Sequence, residues 1–326
     1  MLKKHLTLSV LLICACLFLP KFGQETLAWH DFNFDNIVFA KLRLPQLIIA
    51  LLAGSALSVS GMTFQTIFRN DLASPFTLGV SSASSFGVCL FILISSHMSS
   101  SLRLEEYSSS FMSIAAFIGA LSSLLFISAL LKFKRSFTLN DALLTGVALS
   151  LFFASAIMTI QYVSDANQIM QTFRRMIGSI NIIGFQEIIQ LLPFYILSLT
   201  VIYLYLPQMN LLISGQELAR TRGVNIERCH LHLFIAVSLL TGSSIAICGP
   251  IAFVGMIVPH IARLYVGNNQ KVLFFYSLVL GGVFLAFCDT LGRVIIAPGK
   301  IPVGIITSFL GAPFFFYLIL SRKSTV

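Results

Sequence analysis

The sequence predicts an all-α polytopic membrane protein with about ten transmembrane helices in a single domain, residues 1–326, and no soluble domain. Three observations carry this. The 326 residues are 57% hydrophobic and only 10% charged, with a mean hydropathy of +0.91, whereas an ordinary soluble chain is about 25% charged. Apolar runs near the length needed to cross a ~30 Å hydrocarbon core recur from end to end. The polar connections between them are too short to fold as domains of their own.

The first run lies in MLKKHLTLSVLLICACLFLP, which has a basic front and an apolar middle. No small-x-small cleavage site follows, so residues 5–22 read as a retained first helix. The second, 44–66, follows KLRLP and places Gly54, Ser58 and Gly61 near one another on one helical face. Small residues in that arrangement let membrane helices approach closely. Five further spans are read at 76–97, 111–131, 141–162, 188–206 and 230–248. The eighth, 251–264, is short and interrupted by Pro259, as in a broken or tilted helix packed inside the protein. The last two are 272–290 and 303–320.

An even number of spans puts both termini on one side, and the basic ends MLKK and SRKSTV place that side in the cytoplasm. Thirteen of the 21 Lys and Arg then lie inside with four acids, and eight cations lie outside with eight acids. The net charge of +9 therefore falls on one membrane face, and the basic balance calls for no nucleic-acid partner. Lys41, Arg43, Arg293 and Lys300 are on the outer side, against the bias. Two roles fit them: snorkelling to lipid headgroups, or receiving carboxylates of an external partner.

Ion-coupled transport usually marks membrane spans with ionisable residues. Here no apolar run carries a mid-membrane acid or lysine, and Asp141 and Asp289 lie near span ends. His260 stands beside Pro259 without a second ligand and reads as a packed or capping histidine. The cysteines at 14, 16, 89, 229, 248 and 288 lack metal-ligand or disulfide spacing and read as packing residues. The sequence contains no phosphate loop and no nucleophile constellation. It predicts no catalytic, cofactor-binding or metal-binding residue, so the energy for any transport should come from elsewhere.

Six motifs now bear on function. RLP precedes the small-residue helix, and FRNDLASPFTLGVSSASSFG (68–87) follows it. LLTGVALS (143–150), GQELARTRGV (215–224), GPIAFVGMIVPHIARL (249–264) and IPVGIITSFLGAPFF (301–315) come next. Together they resemble, in the same order, the permeases of iron-complex (siderophore or haem) and cobalamin ABC importers. The resemblance covers nearly the whole chain. It implies a type II ABC importer permease of ten helices, in the bacterial cytoplasmic membrane, paired with itself or a paralogous permease. It also implies an ABC ATPase dimer that holds ATP and Mg at the cytoplasmic face, and a substrate-binding protein outside. The cargo implied most simply is a ferric siderophore, with haem or cobalamin as the alternative; a stand-alone secondary transporter fits less well.

The resemblance also implies sites. Arg43 matches the first docking arginine of the family's RLPR-type motif, whose second arginine position is Gln46 here, and Arg293 matches the arginine before the final span. Lys41 and Lys300 are placed to compensate for Gln46. Asp289, four residues before Arg293, is placed to orient its guanidinium on a continued helix. Gln216, Glu217, Leu218, Ala219 and Gly223 match the loop that contacts the ATPase, as a short surface helix ending near Gly223. Leu139 and Asn140 match the family's cytoplasmic gate, while Asn140 and Asp141 also suit a helix start.

Overall fold

The computed structural model of the chain describes residues 2–23, 36–98, 108–133, 139–296 and 299–321. These form twelve α-helices: α1 (Leu2–Phe18), α2 (Leu44–Phe68), α3 (Val80–Met98), α4 (Ser108–Phe133), α5 (Leu139–Val163), α6 (Ala166–Met176), α7 (Gln186–Ser214), α8 (Gln216–Thr221), α9 (Ile226–Cys248), α10 (Val254–Val266), α11 (Gln270–Val294) and α12 (Val303–Ser321). The π-helical turn Phe39–Arg43 leads into α2.

Six helices are long and apolar enough to cross a membrane: α2 with its leading turn, α4, α5, α7, α9 and α11. This corrects the expectation of ten such helices. Four more apolar helices, in α1, α3, α10 and α12, are shorter among the described residues. The chain spends residues on folded connections where unbroken helix was expected. Residues 76–79, read as the start of a span, belong to a turn ahead of α3. Phe253 adopts the left-handed conformation (φ 67°) and delays α10 to Val254. Thirteen residues then rise about 20 Å, short of the hydrocarbon core. α12 begins at Val303, where the sequence placed it, just after Ile301 donates its N–H back to the Gly292 carbonyl at 2.9 Å.

The core forms around α2, which is apolar or small on every side, as a helix surrounded by others must be. It packs against α11, α10, α9 and α7. Contact with α11 depends on two facing glycines: a Cβ on Gly281 would sit 2.5 Å from the Gly54 carbonyl, closer than any real side chain allows. Ser58 faces the same contact, while Gly61 abuts Gly255 of α10, so the predicted small face is shared between the α2–α11 and α2–α10 seams. By contrast α5 turns Leu144, Leu151 and Phe152 outward, each about two-thirds exposed, as lipid or another membrane helix demands. Cys89, Cys229, Cys248 and Cys288 are buried free thiols.

Because α2 and α11 run antiparallel, the bundle has two distinct ends. Gln46 meets Arg293 at one, and Thr66 meets Gln270 at the other.

Candidate functional site

At the first end, the four cations singled out in the sequence differ sharply in environment. Lys41 is exposed. Arg43 is buried, and its Nη1 donates to the Phe22 carbonyl at 2.9 Å. Arg293 is also buried; its Nη2 lies 3.2 Å from Asp289 Oδ2, one helical turn back on α11. Lys300 Nζ reaches the other oxygen of Asp289 at 3.1 Å and donates to the Ile180 carbonyl. Asp289 has no solvent exposure. A carboxyl group so enclosed needs the two cations beside it to offset its burial. Burial pulls the Lys300 ammonium below its ordinary value, and Asp289 opposes that shift. Gln46, in the position of the missing second arginine, makes only long contacts of 3.5 Å, to Arg293 Nη1 and the Ile182 carbonyl.

A segment that sequence reading passed over ties this end together. Residues 178–184 leave α6 without helical structure and thread between the other elements. Ser179 N–H donates to Cys248 O (2.8 Å), Gly304 N–H to Gly178 O (2.9 Å) and Gly184 N–H to Lys41 O (2.9 Å). Lys300 and Gln46 supply side-chain donors to the same strap. Its only sequence signals are Gly178 and Gly184, both at positive φ.

The other end carries the expected short helix. α8 follows Gly215 and closes before Gly223, whose φ of +81° ends it. The five residues named there have different jobs. Glu217 and Leu218 are exposed, Gln216 is half-buried, Ala219 is buried, and Gly223 makes the turn. Ala219 is the seat and Leu218 the outward apolar residue, the arrangement in which a short helix enters a groove on another protein. Beside α8, Arg69 donates from Nε (3.0 Å) and Nη2 (2.6 Å) to the Leu212 carbonyl near the end of α7. Asp71 pairs with Arg263, and His260 Nδ1 lies 3.8 Å from it. His260 therefore does not stand alone. That pairing joins residues almost two hundred positions apart and leaves no local trace in the sequence.

The backbones of Leu139 and Asn140 are already helical, two residues ahead of the start read at Asp141; their side chains lie outside the described residues. Among the described residues, no three His, Cys, Asp or Glu cluster as a metal site would require.

Comparison with known proteins gives these two ends a context. Residues 7–321 match the model of the FecCD transport family. The hemin transport system permease of Yersinia pestis is 32% identical, over 97% of this chain and 95% of its own. The Fe(3+) dicitrate transport system permease of Escherichia coli is 32% identical, over 92% and 88%. The cobalamin import system permease of Halobacterium salinarum is 31% identical, over 88% and 74%. A solved structure described as an inward-facing conformation of a metal-chelate type ABC transporter superposes with a TM-score of 0.82, at 25% identity, over 97% of this chain and 98% of that one. With a match that runs across all the described helices, the chain belongs to the FecCD transport family and is a multi-pass ABC-importer permease subunit.

Proposed function

We propose that this chain translocates an iron chelate, a ferric siderophore in the first instance, across the bacterial cytoplasmic membrane as one half of a permease dimer. The single observation that carries the reading is the family match over residues 7–321. In this reading the six long helices cross the membrane, the four shorter apolar ones complete the bundle, and both termini are cytoplasmic. The α8 end faces an ABC ATPase dimer that binds ATP and Mg, and the Asp289 end faces a substrate-binding protein. Lys41, being exposed, makes first contact with carboxylates of that protein. Arg43, Arg293 and Lys300 lie beneath it, and Arg293 exchanges Asp289 for an incoming carboxylate as the complex seats. Leu139 and Asn140 form the cytoplasmic gate beside the dimer axis.

Haem or cobalamin is a second reading of the cargo, favoured by the hemin and cobalamin permeases among the relatives. The test is uptake into proteoliposomes carrying the chain with its ATPase and binding protein. A ferric siderophore, haem and cobalamin are each offered with and without ATP. ATP-dependent uptake of the siderophore alone is expected. Uptake of haem or cobalamin instead moves the assignment to that cargo, and uptake without ATP overturns the importer reading.

A further inference from the structure

The stretch FRNDLASPFTLGV carries a family-like motif and supplies Arg69 and Asp71 beside α8, but the reading above gives it no task. We propose that its first residues form a transmission clasp, in which Arg69 and Asp71 pass displacement of α8 to α10. The proposal rests on the reading of α8 as the ATPase contact.

Arg69 ends α2 in the left-handed conformation, φ 46° and ψ 38°. It shares positive φ with only one other non-glycine residue, Phe253, among the described residues. A bulky residue holds that conformation only where its surroundings fix it. Here the turn aims the guanidinium across to α7, where Nε and Nη2 both donate to the Leu212 carbonyl. Leu212 is in the last turn of α7, whose carbonyls lack helical partners. Its carbonyl also accepts from Gly215 N–H, and the Gly215 carbonyl accepts from Ala219 N–H, the buried seat of α8. Three hydrogen bonds in series thus join Arg69 to the middle of α8.

Two residues on, Asp71 reaches α10. Its carboxylate pairs with Arg263 and faces His260. The connection is doubled through Gln65, whose Nε2 donates to the Asp71 carbonyl (3.0 Å) and to Met256 O in the first turn of α10 (3.1 Å). What lies between the two contacts is stiff. Asn70, between them, anchors the turn at both its acceptors: Oδ1 takes the Leu72 N–H at 2.9 Å and the carbonyl takes the Ala73 N–H at 3.0 Å. A contiguous, hydrogen-bonded and rigid path is what a displacement needs to travel without being absorbed.

The experiment uses the full complex of chain, ATPase and binding protein, with the six native cysteines of this chain replaced. Spin labels at the exposed positions Leu264 on α10 and Leu231 on α9 report the distance between the helices, without nucleotide and with ATP trapped by vanadate. In the parent complex the distance is expected to shift on trapping. In Arg69→Ala and in Asp71→Asn the shift is lost, while the ATPase still co-purifies and still hydrolyses ATP. Arg69→Lys, with one donor group where the fork offers two, keeps part of it. Asp71→Lys combined with Arg263→Glu rebuilds the pair with opposite sense and recovers the shift, which a loss of packing would not allow. A parent distance that does not change, single variants that shift like the parent, or a charge swap no better than its single variants each overturns the proposal. If the parent chain fails to bind the ATPase at all, the reading of α8 falls and this inference falls with it; retained binding with an unaltered shift removes the inference alone.

Discussion

A buried residue with charge is where single substitutions speak loudest in this protein. Asp289 is enclosed completely and holds both Arg293 and Lys300. Asp289→Asn leaves two cations with no anion, and breaking a buried pair costs about 3–5 kcal/mol. Thermal unfolding in detergent is expected to show a clear loss of stability, whereas Lys41→Glu, at an exposed position, leaves the unfolding curve in place. The same Lys41→Glu variant separates lipid anchoring from docking. It should weaken association with the loaded binding protein at low salt, with the deficit shrinking at high salt as the Debye length contracts. Association unchanged at both salts returns Lys41 to the headgroup role. The Asp289–Arg293 contact was legible from a spacing of four on a helix. The third member, Lys300, was not, because the loop that brings it back across α11 has no periodicity to read.

Helices show the same division between what composition displays and what geometry hides. Long apolar runs announced α2, α4, α5, α7, α9 and α11. α6 was missed because its eleven residues, ANQIMQTFRRM, sit within a polar connection and expose Ile169, Met170 and Phe173. Its signal was the capping pair Asp165 and Gln168 three residues apart, present in the structure as reciprocal bonds. α8 was legible as a helix, but five residues that looked equivalent in sequence divide by burial. Leu218→Asp is therefore expected to lose the ATPase on co-purification with the chain's fold unchanged. Ala219→Leu overfills a buried seat, at a cost of about 1–3 kcal/mol, and should lower both stability and ATPase recovery. If Leu218→Asp retains the ATPase at full yield, α8 is an ordinary connector.

In the proposed reading the molecule is one half of a dimer, and the exposed apolar residues of α5 follow directly on the candidate gate. Single cysteines at Leu139 and Asn140, in a cysteine-free background, are expected to cross-link between two copies with a yield that depends on nucleotide state. Absence of cross-linking at both positions in every state removes the gate and leaves a helix start. At this scale the sequence displayed the membrane class and the order of the motifs. It did not display Asp71 against Arg263, or the strap against four different elements. Contacts between distant segments follow from how helices stack, and a single chain of letters does not encode that stacking in any local period.

The strap at 178–184 has a consequence for how the protein exchanges its amide hydrogens with solvent. Connections usually exchange fast because their amides face water. Here the amides of Ser179 and Gly184 are bonded to carbonyls of other elements, as are those of Ile301 and Gly304. Deuterium uptake over 178–184 and 300–304 should run roughly tenfold or more slower than over the exposed turn 267–269, at rates typical of helix interiors. Opening them would require parting α9, α12 and the entry to α2 from one another. Slow exchange at the strap and at the entry to α12 would thus time the opening of the bundle's end, and docking of the binding protein should change that time.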